Sequence, residues 1–526
     1  MWFSRLYGIC VRHHALLRQA VAAGLGALCL SGCMAWQTVQ QRPGELLARH
    51  PRTTVRAVFH DGGYLTLYRP FIRSDSLGGG TDSTKPDALP VMVALKDVQH
   101  LEILQISAGR TLLAVAAVGA TAALVVGIAN DLSNLSAPRP SASSTNIKIS
   151  CPLVYSWDGR HWHLDSGTFG GAIAEALQRT DVDNLDFARA EDGVLRLRVA
   201  NELAETDHLD GLAALAVDHE SWLTVAPDPS GGLHTIGTLV PPFRATDDRG
   251  VDALPRVSAA DGWNWESTVS GRDPRNPADL RSGLELAFAR PRGATRAHLV
   301  VDANSSPWGT YMLEEFIRAH GRTTQAWYDS MNAHPQMALA VQARLAREAF
   351  LAVSVRAATG WQSEGLLWEA GPEIVKRQVL DLDLSQVTGD TVLVRLTSAP
   401  SFWTIDHVAL DFTADREMTV HELPLVSARD PRGRDVAPLI AAVDHRDVAL
   451  SHGATINVVF AVPALPPGQA RSYLLRSTGW YRVDTPETGA PDVASLTGLG
   501  RDSLAVGRAS VLRLNAALTL LAEQAR

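Results

Sequence analysis

Cysteine is scarce: the 526 residues hold four, at positions 10, 29, 33 and 151. Long runs of one charge are missing as well. With 48 Lys and Arg against 56 Asp and Glu, the net charge is −8, and no basic block interrupts the chain. A protein that binds nucleic acid through its phosphates needs such a footprint, so nucleic acid is excluded as a partner. Aromatic residues reach only 6%, yet the 46% hydrophobic share, with 41 Gly and 28 Pro, is that of a globular protein. Collagen-like, low-complexity and wholly disordered chains are ruled out, and the length suffices for about three domains.

Signatures of catalysis are also missing. No G-x-S-x-G, H-E-x-x-H or G-x-x-x-x-G-K-[ST] occurs, nor a G-x-G-x-x-G that follows a strand. Gly78-Gly79-Gly80 reads as a loop with no helix behind it, hence as a turn and not a phosphate cradle. Carboxylate pairs such as Glu314/Glu315 and Asp381/Asp383 are plentiful, but glycosidase chemistry needs two held across a sugar, a distance no sequence displays.

What is there begins at the amino terminus. Arg5, Arg12 and Arg18 precede the apolar run Ala20 to Leu30, which leads into Ser31-Gly32-Cys33. A positive region, a short apolar region and small residues in that order read as a secretory signal. Leu30-Ser31-Gly32-Cys33 resembles the lipobox of bacterial lipoproteins. The resemblance implies cleavage before Cys33 and a diacylglycerol on its thiol, with the outer membrane as destination where the host has one, since Met34 rather than Asp follows. Cys10 and Cys29 would leave with the signal, residues 1–32, Cys33 would carry lipid, and Cys151 would remain as one buried structural thiol. No intrachain disulfide then forms in the mature chain despite an oxidising compartment. Losing three arginines and no acid takes the net charge from −8 to −11. Membrane attachment must come from acyl chains or apolar segments, not from basic patches.

The mature chain is expected to be mainly β. Residues 33–53 are polar and read as a tether, and 54–110 as a small β-domain. Val55 to Phe59 and Tyr64 to Tyr68 alternate around an Asp61-Gly62-Gly63 turn, and strand-like runs follow at 91–95 and 100–106. Thr111 to Ala129 is nineteen residues without a charge, enough for a helix that associates with a membrane or packs in an oligomer. Residues 130–146, rich in Ser, Pro and Asn, are a linker. The body then opens with Cys151-Pro152-Leu153-Val154-Tyr155-Ser156-Trp157-Asp158-Gly159, and His161-Trp162-His163-Leu164-Asp165 completes an aromatic-clamped hairpin around an Asp-Gly turn. This stretch resembles the C-P-x-V-Y-S-[WY]-D-G opening of a group of uncharacterised bacterial envelope lipoproteins, which adds a family but no activity. Residues 147–283 are read as a β-rich domain, 284–412 as a β-sandwich with a helical insert at 307–350, and 413–483 as a C-terminal β region. Residues 484–526 are a loose segment and a terminal helix.

Each group of residues with suggestive chemistry has a plainer reading. His161, His163 and Asp165, at i, i+2 and i+4 on a strand, share a face and have the donors for zinc, but the same alternation makes them the solvated side of a hairpin. Asp181, Asp183 and Asp186 have oxygens at the density of a calcium loop, yet glycine is absent at loop position 6 and Asp192 stands at position 12; a solvated acidic loop is the simpler reading. Trp263, Trp265 and Trp403 would suit a stacking platform for glycan or peptide, or else fill a core. No catalytic residue, resident metal or cofactor is assigned beyond the covalent lipid at Cys33. The expected protein is a noncatalytic, lipid-anchored component of the cell envelope that binds or scaffolds another envelope component or a glycan. It is held by acyl chains and possible contacts of 111–129. The alternative is a lipoprotein hydrolase or carbohydrate-active enzyme with a site assembled from distant residues.

Overall fold

A computed structural model describes residues 34–39, 47, 54–59, 64–73, 76–80, 91–106, 152–267, 271–368 and 371–524. Cys33 and the residues read as a lipobox, the stretch 111–129, the stretch 130–146 read as a linker, and Cys151 lie outside them. Among the described residues no helix is long and apolar enough to cross a membrane. The fold is mainly β, built from antiparallel sheets. Two compact units divide the chain: Met1–Asn146 with Leu512–Arg526, and Ile147–Val511.

The first unit contains a six-stranded sheet in the order Met34–Val39, Val98–Ile106, Val55–Phe59, Tyr64–Arg73, Ser76–Gly80, Val91–Ala94. Alternation fixes one apolar face: Val55 and Ala57 are buried, as are Leu101 and Ile103 on the neighbouring strand. One expectation is corrected here. Met34–Val39 belongs to the sheet, pairing with Val98–Ile106, so the tether read over 33–53 already holds a strand. Trp36 and Val39 supply β-forming residues that the polar neighbours obscured.

The second unit is one sandwich inserted into another. The outer sandwich has a sheet ordered Leu425–Arg429, Thr455–Ala461, Val194–Ala200, Leu153–Trp157, Trp162–Gly167. Its second sheet runs Thr419–Glu422, Glu205–Glu220, Gln469–Val483, Arg179–Asn184, with Val448–Ser451 also on Glu205–Glu220. Leu195, Leu197 and Val458 of the first sheet share a core with Leu212, Ala214 and Leu475 of the second. The strands of 413–483 therefore complete this sandwich instead of forming a separate C-terminal region. Long-range pairing, such as Val194–Ala200 with Thr455–Ala461, decided this, and no local pattern encodes it.

The inserted sandwich has one sheet ordered Leu239–Val240, Trp403–Asp411, Arg296–Ser305, Lys376–Asp383, with Trp265–Glu266 also on Trp403–Asp411. The other is Arg244–Asp247, Ser282–Ala289, Thr391–Ser398, Leu351–Ala357, Gly360–Leu367. Its strands begin near 239, so the boundary read at 283/284 cuts through both sheets. The helical insert is Pro307–Arg318, Thr324–Ala333 and Pro335–Glu348. Ser306 caps the first helix, its Oγ accepting the Gly309 N–H at 3.0 Å, and Pro307 opens the first turn. Leu313, Ile317, Trp327, Tyr328 and Met331 join the core of the outer sandwich, so the inserted segment helps fill its host. Beyond the sheets, 484–526 is less loose than read: Val493–Arg501 is a helix capped by Asp492, and Ala505–Gln524 is the terminal helix.

The chain crosses between the sandwiches twice. The inbound crossover carries a short hairpin, Thr224–Pro227 with Leu233–Ile236, and the outbound crossover is the stretch 412–418. One face of the hairpin, with Val225 and Leu233, packs on Leu215, Val217 and Leu474 of the outer sandwich. The opposite face, with Ala226 and Ile236, packs on Val300 and Val379 of the inserted one. The hairpin is a layer between two sheets, which explains why both of its faces are apolar.

Candidate functional site

The aromatic hairpin forms as its turn chemistry predicts. Gly159, at φ +99°, takes the left-handed position, and the Trp157 and Trp162 rings flank the turn with centroids 5.4 Å apart. Asp158 Oδ1 accepts the N–H groups of Arg160 and His161, both at 2.7 Å, while Oδ2 lies 2.7 Å from His163 Nε2. Burial raises the Asp158 carboxyl, but the hydrogen bonds from His161, His163 and Arg160 outweigh it and hold the pKa at about 2.

His161, His163 and Asp165 do not share a face. A bulge between Val154 and Tyr155 breaks the alternation, pairing Val154 with Ser166 and Tyr155 with Leu164. Asp165 is left buried, accepting the N–H groups of Asp186 and Phe187 at 2.8 and 3.1 Å. Burial, with the nearby Asp186 charge, pushes its carboxyl up to about 6. Asp158 takes the place read for Asp165 beside the two histidines.

Asp181 and Asp183 lie on the strand Arg179–Asn184 and not in a loop, so they and Asp186 cannot wrap one cation. Arg179 donates to both Asp181 oxygens, at 2.8 and 3.0 Å, and Lys376 Nζ sits 2.6 Å from Asp183 Oδ1. Lys376 comes from the inserted sandwich, so these carboxylates belong to an ion-paired seam between the sandwiches. The calcium reading fails because the oxygens face protein cations. The seam continues inward, where Arg377 forks onto Asp302 at 2.7 and 2.9 Å and His407 Nδ1 reaches Asp302 Oδ2 at 3.0 Å. Burial would raise the Asp302 carboxyl, but His407 and Arg377 hold it below its ordinary range.

The tryptophan platform is not built either. Trp265 and Trp403 are buried, Trp403 donating from Nε1 to the Ala349 carbonyl at 2.8 Å. Trp263 is half-buried beneath the Arg256 guanidinium, 5.1 Å from its ring centre. Apolar mass in strand Trp403–Asp411 went to the core.

One cluster has no counterpart in the sequence reading. His234, on the hairpin, stands opposite His298, on Arg296–Ser305, with ring centres 4.9 Å apart, and Asp415 of the outbound crossover lies against both. Asp415 Oδ2 is 3.0 Å from His234 Nδ1 and 3.8 Å from His298 Nε2. Each ring turns its other nitrogen to a separate carboxylate. His234 Nε2 is 3.3 Å from Asp228 Oδ2, and His298 Nδ1 is 2.7 Å from Asp381 Oδ1, close but off the line of a hydrogen bond.

Local structure sets these positions. Asp228-Pro229-Ser230-Gly231-Gly232 is the hairpin turn, with Gly231 at φ +87° and Asp228 Oδ1 accepting the N–H groups of Ser230 and Gly232. Asp381 is the cross-strand partner of His298. Asp415 Oδ1 accepts the Thr235 N–H at 2.8 Å, which fixes where Oδ2 points. Burial would lower the His234 pKa, but hydrogen bonds to Asp415 and Asp228, with the charges of Asp415 and Asp381, raise it. Among the described residues, this cluster and Asp158–His161–His163 are the groups that bring three metal-type donors within 4.8 Å. His234, His298 and Asp415 are far apart in sequence, on three elements, so no spacing rule finds them.

No protein-family model, curated protein or solved structure matches the chain.

Proposed function

We propose that this protein is a lipid-anchored component of the cell envelope that works by binding or scaffolding and not by catalysis. The observation that carries the reading is Leu30-Ser31-Gly32-Cys33 behind a positive region and a short apolar run. The body is compatible with that role. Carboxylates where the sandwiches meet, and Asp302 within the inserted one, are engaged by protein cations: Asp181 by Arg179, Asp183 by Lys376 and Asp302 by Arg377. Groups held that way stiffen a scaffold and are poor general acids or nucleophiles. Acyl chains at Cys33 would hold the body at an extracytoplasmic surface, where its ligand is another envelope component or a glycan.

Metabolic labelling with a palmitate analogue in the native host tests the anchor. Wild type should take up label and fractionate with membranes, and Cys33→Ser should do neither. Protease added outside opened envelopes should reach residues beyond 146. An unlabelled, freely soluble wild type would refute the anchor, and turnover of an ester, amide or glycoside by the purified chain would refute the noncatalytic role.

A further inference from the structure

We infer that His234, His298 and Asp415 form a divalent transition-metal site that staples both crossovers to the inserted sandwich. This goes beyond the lipid-anchored reading and stands or falls independently of it.

The case rests on which way the nitrogens face. Asp228 takes the Nε2 side of His234 and Asp381 the Nδ1 side of His298. With the N–H protons on those sides, the lone pairs of His234 Nδ1 and His298 Nε2 both face Asp415 Oδ2. Three acceptors then converge on one point, an arrangement that is repulsive unless a cation lies between them. Protons can also meet it, by a hydrogen bond from His234 Nδ1 to Asp415 Oδ2 at 3.0 Å, but they leave His298 Nε2, at 3.8 Å, beyond hydrogen-bond reach of that oxygen. One divalent ion meets it with both rings neutral.

Distances fit the second solution. Bonds of about 2.0–2.1 Å to nitrogen and oxygen in a tetrahedral site place donors roughly 3.3 Å apart. The separations of 3.0 and 3.8 Å from Asp415 Oδ2 bracket that value. A carboxylate hydrogen-bonded behind a ligating imidazole, as Asp228 is behind His234, is the outer-shell arrangement that fixes a tautomer at a metal site; the Thr235 N–H orients the third ligand in the same way, while Asp381 lies near His298 Nδ1 without that alignment. Two imidazoles and one carboxylate favour zinc or a neighbouring first-row ion over calcium or magnesium, which take oxygen. The histidine side chains are 13% and 10% exposed while that of Asp415 is 44% exposed, so the site opens to solvent on the Asp415 side and water completes the coordination.

The position gives the ion a mechanical role. His234 and Ile236 share a face of the inbound hairpin, and His298 and Val300 share a face of the inserted sheet. The apolar layer of Ala226, Ile236, Val300 and Val379 thus ends in the polar cluster. Asp415 adds the outbound crossover. An ion here joins the way in, the way out and the sheet between them.

The full chain, solubilised in mild detergent and stripped with EDTA, is titrated with Zn²⁺ against a chromophoric chelator. Wild type should bind one equivalent. His298→Gln and Asp415→Asn should weaken binding at least about 100-fold, and Asp228→Asn about 10- to 100-fold as an outer-shell change. The double variant His161→Ala/His163→Ala should bind as wild type does. At a free zinc concentration about 100 times Kd, proteolytic cleavage within 412–418 that requires release of the ion should slow about 100-fold. Circular dichroism confirms that each variant is folded, and Asp415→Asn, at an exposed crossover, is the substitution least able to disturb the core. Absence of stoichiometric zinc on wild type would overturn the inference. So would unchanged affinity in folded Asp415→Asn, or loss of the zinc in the His161/His163 variant instead.

Discussion

Removing the Asp302 carboxylate is the sharpest test of how the inserted sandwich is held together. Asp302, on Arg296–Ser305, is buried and takes two hydrogen bonds from Arg377 and one from His407. In Asp302→Leu the Arg377 guanidinium keeps its charge but loses its partner, which costs about 3–5 kcal/mol when the cation is fully buried. Arg377 keeps 32% of its side-chain exposure, so water can recover part of that loss, and about 2–4 kcal/mol is expected. Arg377→Met alone should cost a similar amount, since Asp302 is then buried with only His407 beside it. The double variant should cost clearly less than the sum, with a coupling of about 2 kcal/mol, because no unpaired charge remains. Urea unfolding followed by tryptophan fluorescence reads all four proteins, Trp403 lying on the strand next to Asp302. Single variants within about 0.5 kcal/mol of wild type, or strictly additive effects, would show that the pair is only a surface contact.

Three further outcomes follow from neighbouring groups. Burial, then the charges of Asp302 and Asp261, pushes the Asp406 carboxyl from 3.8 up to about 7. Because the folded value lies above the unfolded one, the stability given by the neutral form is complete below about pH 4 and is lost as pH rises through 7. Asp406→Asn should remove that fall and be the more stable protein at pH 8, and parallel pH profiles of the urea midpoint would contradict this. Glu348 Oε2 accepts the Val506 and Gly507 N–H groups at the start of the terminal helix, so Glu348→Ala should cost about 1–2 kcal/mol, with Glu348→Gln recovering part of it. Hydrogen exchange at 505–511 is the readout, and unchanged protection in the alanine variant would dismiss the cap. Trp403→Ala should destabilise by about 3–5 kcal/mol in thermal or urea unfolding, since the ring is core; a loss below about 1 kcal/mol would revive a surface role.

Sequence alone determined many of the elements, though not the strands Met34–Val39 and Ser76–Gly80, which read as a tether and a loop. Alternation through Val55–Phe59, the Asp158-Gly159 turn and the helical insert read at 307–350 are local properties, written in neighbouring residues. The mainly β character follows from them. What tertiary structure decided was partnership. Two sandwiches share one chain because 153–220 pairs with 419–483 across an insertion, and a strand of a given pattern pairs equally well with many others until the whole sheet closes. The sites followed the same divide. Asp165 left the histidine face because one bulge shifted the register, and Asp181 and Asp183 met Lys376 from another sheet. His234, His298 and Asp415 became neighbours only when two crossovers and a sheet packed into one layer. Periodicity reports what a residue faces, never which distant residue faces it.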